Sequence, residues 1–175
     1  GPAFKQNFLR FIISVLASTL MMVSLPAAAA VDTNLFSDLN GKPIIDDANI
    51  IDDVAEADLN DSLIKFSEEN GRQMAIVTVP SLEGYSIEEF SLAYAEHLGI
   101  GSAELDDGLV LLVAPNDREI RIEVGRGLEW YMTDVQSGRS LEIVKPYFRS
   151  GDFTGGIVAI TENILPQITP EAEQL

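Results

Sequence analysis

The chain has no cysteine and a single histidine, and its 11 lysines and arginines are set against 28 aspartates and glutamates. The missing thiol excludes disulfides, thiolate nucleophiles, zinc–cysteine sites and iron–sulfur ligation together. With His97 as the lone imidazole, zinc motifs of the H-E-x-x-H kind are absent, and a Ser-His-Asp triad would rest on that residue alone. His97 stands two residues before Gly99, at what reads as a helix C-terminus where the last carbonyls favour a cation, and is read as structural. The shortage of positive charge leaves a formal net charge of −17. Such a surface repels phosphate backbones and anionic lipid, which are bound through clustered Lys and Arg, so nucleic acid is not expected as a partner. The same acidity keeps a protein soluble and suits hard divalent cations, whose ligands are oxygens.

Long apolar runs are scarce too. Phe11 to Leu25 falls short of the roughly 20 residues that a spanning helix needs. Lys5 and Arg10 precede it and Pro26 to Ala30 supply small residues after it, the pattern of a secretory leader cleaved before Val31. Gly1-Pro2 reads as the remnant of a cleaved tag. Residues 1–30 are therefore expected to be tag remnant plus signal peptide, with an uncleaved N-terminal anchor as the other reading. Loss of Lys5 and Arg10 with the leader takes the formal charge from −17 to −19, since no acidic residue leaves with them. The mature protein is expected in the periplasm or secreted, without a stable membrane anchor.

Beyond the leader, residues 31–44 read as an extended lead-in with little structure. Asp53 and Glu56 form a capping pattern, and Ala55, Leu59, Leu63 and Phe66 recur at helical spacing up to Gly71. Met74 to Val79 is a continuous, β-branched-rich run closed by Pro80, as a strand covered on both faces would be. Ser86-Ile87-Glu88-Glu89 is a capping box, with Ile87, Phe90, Tyr94 and Leu98 forming the apolar stripe of a second helix. Leu109 to Ala114 is another buried strand, and Glu119 to Val124 alternates charged and apolar residues like a half-exposed one. Thr133 with Gln136 caps a third helix to about Phe148, offering Val135, Ile143, Val144 and Tyr147 for burial. Asp152 starts a fourth through about Pro166, with Phe153, Ile157, Ile160 and Ile164 inward and Gly155-Gly156 weakening its first turn. Strands interleaved with helices define an α/β class with a mixed sheet between helical layers, a smaller α+β arrangement being the alternative.

Pairing outward from Asn116-Asp117 as a two-residue turn sets Leu111 opposite Ile122, Leu109 opposite Val124 and Asp107 opposite Arg126. Asp106-Asp107-Gly108 and Gly125-Arg126-Gly127-Leu128-Glu129 thus meet at one end of the hairpin, with glycines that let backbones approach closely. Three readings stand there: an exposed Asp–Arg ion pair; a hard cation on Asp106, Asp107 and further oxygens; or that cation beside an oxyanion held by Arg126 or Arg121. No EF-hand, P-loop or dinucleotide fingerprint is present. Asp46-Asp47 and Asp52-Asp53 around Asn49 either add ligands or cap the first helix, and Asp134 near the start of the third helix reads first as a cap.

The ordered segments resemble the TPM domain family over about residues 35–168. The carrying residues are Ile45-Asp46-Asp47-Ala48-Asn49-Ile50-Ile51, Gln73 to Pro80 followed by Ser81-Leu82, Asp106 to Ala114, Arg121 to Glu129, and Pro146 to Phe153. The resemblance implies an α/β/α sandwich over residues 45–168 with a short tail at 169–175. It also implies an exported location, divalent-cation binding near the acidic loop and, for some members, acid phosphatase activity. Many relatives carry a C-terminal membrane helix and a glycine-rich tail, neither of which is expected here. On this basis Ca2+ or Mg2+ is expected on Asp106, Asp107 and Asp46 or Asp134. Asp107 and Arg126 are the expected catalytic residues, with Arg121 and Arg126 facing an anionic substrate such as a small phosphoester. The ion would polarise the phosphoryl oxygen and activate water, or an aspartate would act as nucleophile. The other functional reading is a non-enzymatic, metal-stabilised module that binds an envelope protein.

Overall fold

The computed structural model describes residues 30–170, so the expected leader, apart from Ala30, and residues 171–175 of the expected tail lie outside the described residues. Four strands, β1 (Ile44–Asp46), β2 (Gln73–Thr78), β3 (Gly108–Ala114) and β4 (Glu119–Val124), form one sheet in that order. The first three are parallel, and β4 returns antiparallel to β3. The helices are α1 (Asp53–Asn70), α2 (Ile87–Leu98), α3 (Asp134–Arg149) and α4 (Phe153–Gln167).

The strand patterns account for the layering. Every residue of β3 is buried, and β2 is buried from Met74 onward, because both strands are central and covered on both faces. One face sets Met74, Ile76, Leu109, Leu111, Val113 and Ile122 against α1, α3 and α4. The other sets Ile45, Val77, Val110, Leu112 and Ala114 against α2 alone, whose margin is filled by Val31, Phe36 and Leu39. The result is a three-layer α/β/α sandwich with a mixed central sheet. Each fully buried large aliphatic or Phe side chain contributes about 1.5–3 kcal/mol.

Local signals set the ends of the elements. Ser86 Oγ accepts the Glu89 N–H at the start of α2, and Thr133 with Gln136 makes a reciprocal capping box at α3. Asp152 Oδ1 accepts the Gly155 N–H at α4, while Gly71 (φ 72°) and Gly99 (φ 58°) close α1 and α2 in the left-handed conformation.

Four features differ from expectation. The lead-in contains a 3-10 turn at Thr33–Leu35 and ends in β1, since a three-residue strand is too short to show a period. The first helix is preceded by Asp52, whose side chain makes no capping bond, so Asp53 is its first residue and not its cap. Val135 and Tyr147 are 64% and 37% exposed, because α3 turns Ser140 and Val144 inward and meets α4 through a Ser140 Oγ–Asn163 Oδ1 hydrogen bond of 2.6 Å. A polar seam of this kind is invisible to apolar periodicity. Finally, the β3–β4 loop is four residues long, with a 3-10 turn at Pro115–Asp117 and Arg118 at φ 53°, although the register matches the two-residue alternative.

Candidate functional site

The hairpin brings the 99–107 loop against the 125–129 segment. Gly125 N–H donates to Gly108 O at 2.8 Å, and Gly127 N–H donates to Asp106 O at 2.9 Å. A Cβ at Gly125 would lie 2.3 Å from Asp106 O, and one at Gly127 would lie 2.1 Å from Leu105 O, so only glycine permits this approach. Asp106, at φ 48°, accepts the Arg126 N–H on Oδ2 at 3.0 Å. The expected meeting of Asp107 with Arg126 is therefore made by Asp106, through the backbone and not through the guanidinium. The reason is that Asp107 turns inward: it is 7% exposed, and its Oδ1 accepts the Ser102 N–H at 2.7 Å. Gln73 Oε1 completes the brace by accepting the Gly101 N–H at 2.7 Å.

Between this double loop and the C-terminal half of α2 lies a cleft of about 720 Å³. Glu96, Glu104, Asp106, Glu123 and Glu129 line it together with Arg126. The Arg126 guanidinium takes part in no ion pair among the described residues.

The other expected site residues lie elsewhere. Asp46 ends β1 opposite Thr78, whereas Asp106 precedes the β3 residue that pairs with Gln73. The two positions are at opposite ends of the sheet: Gly108 already lies five strand residues from the level of Asp46, roughly 16 Å at about 3.3 Å per residue, and Asp106 lies beyond it. Asp46 is also engaged in three hydrogen bonds: Oδ1 accepts from Thr78 Oγ1 at 2.6 Å and Ile50 N at 3.1 Å, and Oδ2 accepts from Ile51 N at 3.0 Å. Asp134 is the first residue of α3 and lines a separate groove along β4 with Arg121. Arg121 Nε donates to Glu123 Oε2 at 2.9 Å, and that oxygen also accepts from Ser91 Oγ at 3.1 Å.

As a single ligand set, Asp46, Asp106, Asp107 and Asp134 thus do not fit a cation. Among the described residues no three His, Asp or Glu side chains are grouped so as to hold one. By ligand chemistry the cleft carboxylates do suit Mg2+ or Ca2+. Mg2+ in particular is commonly held by one or two carboxylates, waters and substrate phosphate, without an all-protein cage.

Several bracing residues escaped the sequence reading. Thr78, polar and buried at the end of an apolar strand, was the clearest available signal, and it receives the Ala48 N–H while donating to Asp46. Asp117 Oδ2 accepts the Leu82 N–H at 2.9 Å, and the Arg72 guanidinium lies 4.0 Å from the Tyr131 ring centroid while donating to Ile168 O. No local pattern marks either residue.

A helix-flanked mixed sheet of this kind recurs in solved structures. The N-terminal domain of a protein from P. gingivalis aligns at 27% identity and a TM-score of 0.66, covering 73% of this chain and 82% of its own. The N-terminal domain of a Corynebacterium glutamicum protein shares the fold at 14% identity and a TM-score of 0.57, covering 73% and 80%. The BA42 protein of the psychrophilic bacterium Bizionia argentinensis shares it at 14% identity and a TM-score of 0.59, covering 69% and 82%. No curated protein matches. The TPM domain profile matches residues 44–167, well over half of the chain, and the chain belongs to that family.

Proposed function

We propose that this TPM domain is exported, binds a divalent cation, Mg2+ or Ca2+, in the cleft beside α2, and acts there on phosphomonoesters. The observation that supports this reading best is the Arg126 guanidinium, in no ion pair among the described residues, on a wall otherwise carrying Glu96, Glu104, Asp106, Glu123 and Glu129. Carboxylates alone repel an anion; carboxylates neutralised by a cation leave Arg126 to grip phosphate with two parallel N–H donors. When bound, the cation supplies Lewis-acid polarisation and an activated water. The chain itself orients the substrate through Arg126. Asp106 fixes the segment bearing Arg126 through its bond to the Arg126 N–H, and Asp107 holds the facing loop through Ser102. Asp107 is thus a positioning residue in this reading.

Turnover of p-nitrophenyl phosphate by the full chain tests the proposal. Chelation should abolish turnover and added Mg2+ or Ca2+ restore it. Arg126→Ala should raise KM by about 10- to 100-fold, the worth of one charged hydrogen-bond pair at about 1.5–3 kcal/mol. Turnover indifferent to chelator or to Arg126→Ala would contradict it.

A further inference from the structure

Among the described residues β4 is an edge strand, with no strand paired to its outer side. The Gly125 N–H to Gly108 O bond sets the phase of the antiparallel ladder, so Glu119, Arg121 and Glu123 turn their backbone groups toward β3. The N–H and C=O groups of Ile120, Ile122 and Val124 therefore point outward. Ile122 packs its side chain into the core and is 5% exposed as a residue, which fixes the strand in place while its outward N–H and C=O have no protein partner among the described residues. These groups form the floor of a groove of about 880 Å³ whose walls are the first turn of α2 and the N-terminal half of α3.

We propose that this groove takes an extended peptide segment of a partner protein as a fifth strand, with apolar and basic side chains alternating along it. Strand addition supplies the missing backbone partners, and the two walls read the side chains. On the α3 side the segment meets Ile122, Met132 and Leu141, which are apolar. On the α2 side it meets Glu88 and Glu123, with Glu129 and Asp134 also lining the groove. Its one guanidinium, Arg121, is already bonded to Glu123, so the groove attracts Lys or Arg. A second copy of this chain, at a formal charge of −17, is disfavoured by the same field.

Gly138 points to the same use. It sits inside α3, where glycine is less stable than alanine, yet nothing lies within 4 Å of the place its Cβ would occupy. No packing contact requires it. Its missing side chain leaves the wall of the groove open.

The probe is a capped seven-residue peptide alternating Val and Lys, titrated into the full chain with amide shifts and hydrogen exchange as readouts. The amides of Ile120, Ile122 and Val124 should shift and exchange more slowly, and about 0.5 M salt should weaken binding. Gly138→Leu, which fills the groove and favours the helix, should weaken binding by about tenfold or more. Val124→Pro, which removes an outward donor at an edge position that tolerates proline, should do likewise with an unchanged circular dichroism spectrum. The proposal is overturned if the peptide does not bind, if a Val–Glu peptide binds as well, or if Gly138→Leu leaves binding intact. It is also overturned if those amides are already protected in a concentration-dependent dimer of the free chain.

Discussion

Tyr94 is fully buried beneath the lead-in, its ring 4.3 Å from that of Phe36, and its hydroxyl accepts the Ser37 N–H at 2.9 Å. Burial raises its phenol above the ordinary value and the negative charge of Asp47 adds to this, outweighing the lowering by the Ser37 N–H. The unfolded chain then loses the proton first, at about pH 10. Stability from this group is complete below that pH and declines as pH rises from there through the folded value. Urea midpoints measured from pH 8 to pH 11 should fall more steeply for the wild type than for Tyr94→Phe. Asp107 gives the complementary lesson. Its carboxylate type and spacing were legible, but the direction of its side chain was set by the Ser102 N–H, a contact inside a loop with no periodicity to read. Arg126, by contrast, was placed near the meeting loops by register alone.

At the scale of elements, two glycines inside helices make opposite cases. A Cβ at Gly156 in α4 would come within 2.6 Å of Phe148 Cε1, whereas one at Gly138 in α3 would meet open space. Gly156→Ala should destabilise the protein, because overpacking costs about 1–3 kcal/mol and exceeds the helix gain. Gly138→Ala should stabilise it by about 0.5–1 kcal/mol. Thermal melts of the two variants check the pair, and equal shifts would contradict the packing described here. The Gly155-Gly156 pair, read from sequence as a weak first turn, is in fact where the end of α3 closes on α4. Helices whose sequence carries a capping signal, such as Ser86 before α2 and Thr133 before α3, were legible to their first residue. The three-residue β1 was not, because a strand that short carries no alternation.

For the whole molecule, the mixed sheet and its helical layers followed from strand and helix periods. Assembly of distant loops did not: Asp46 and Asp106 look equally available in sequence, and only the parallel β1–β2–β3 register puts them at opposite ends. Export is checked by mass spectrometry of the secreted or periplasmic protein, which should begin at or within a few residues of Val31. An intact N-terminus held in the membrane fraction would favour the anchor.

The most direct test of the cleft is a titration of the full chain with Mg2+ or Ca2+, with and without inorganic phosphate, followed by amide shifts. A cation site in the cleft requires Gly99–Asp107 and Val124–Glu129 to move together, ion binding to tighten when phosphate is present, and Arg126→Ala to lose that enhancement. Amides that stay still in both loops, or that move only around Asp46 or Asp134, would contradict it.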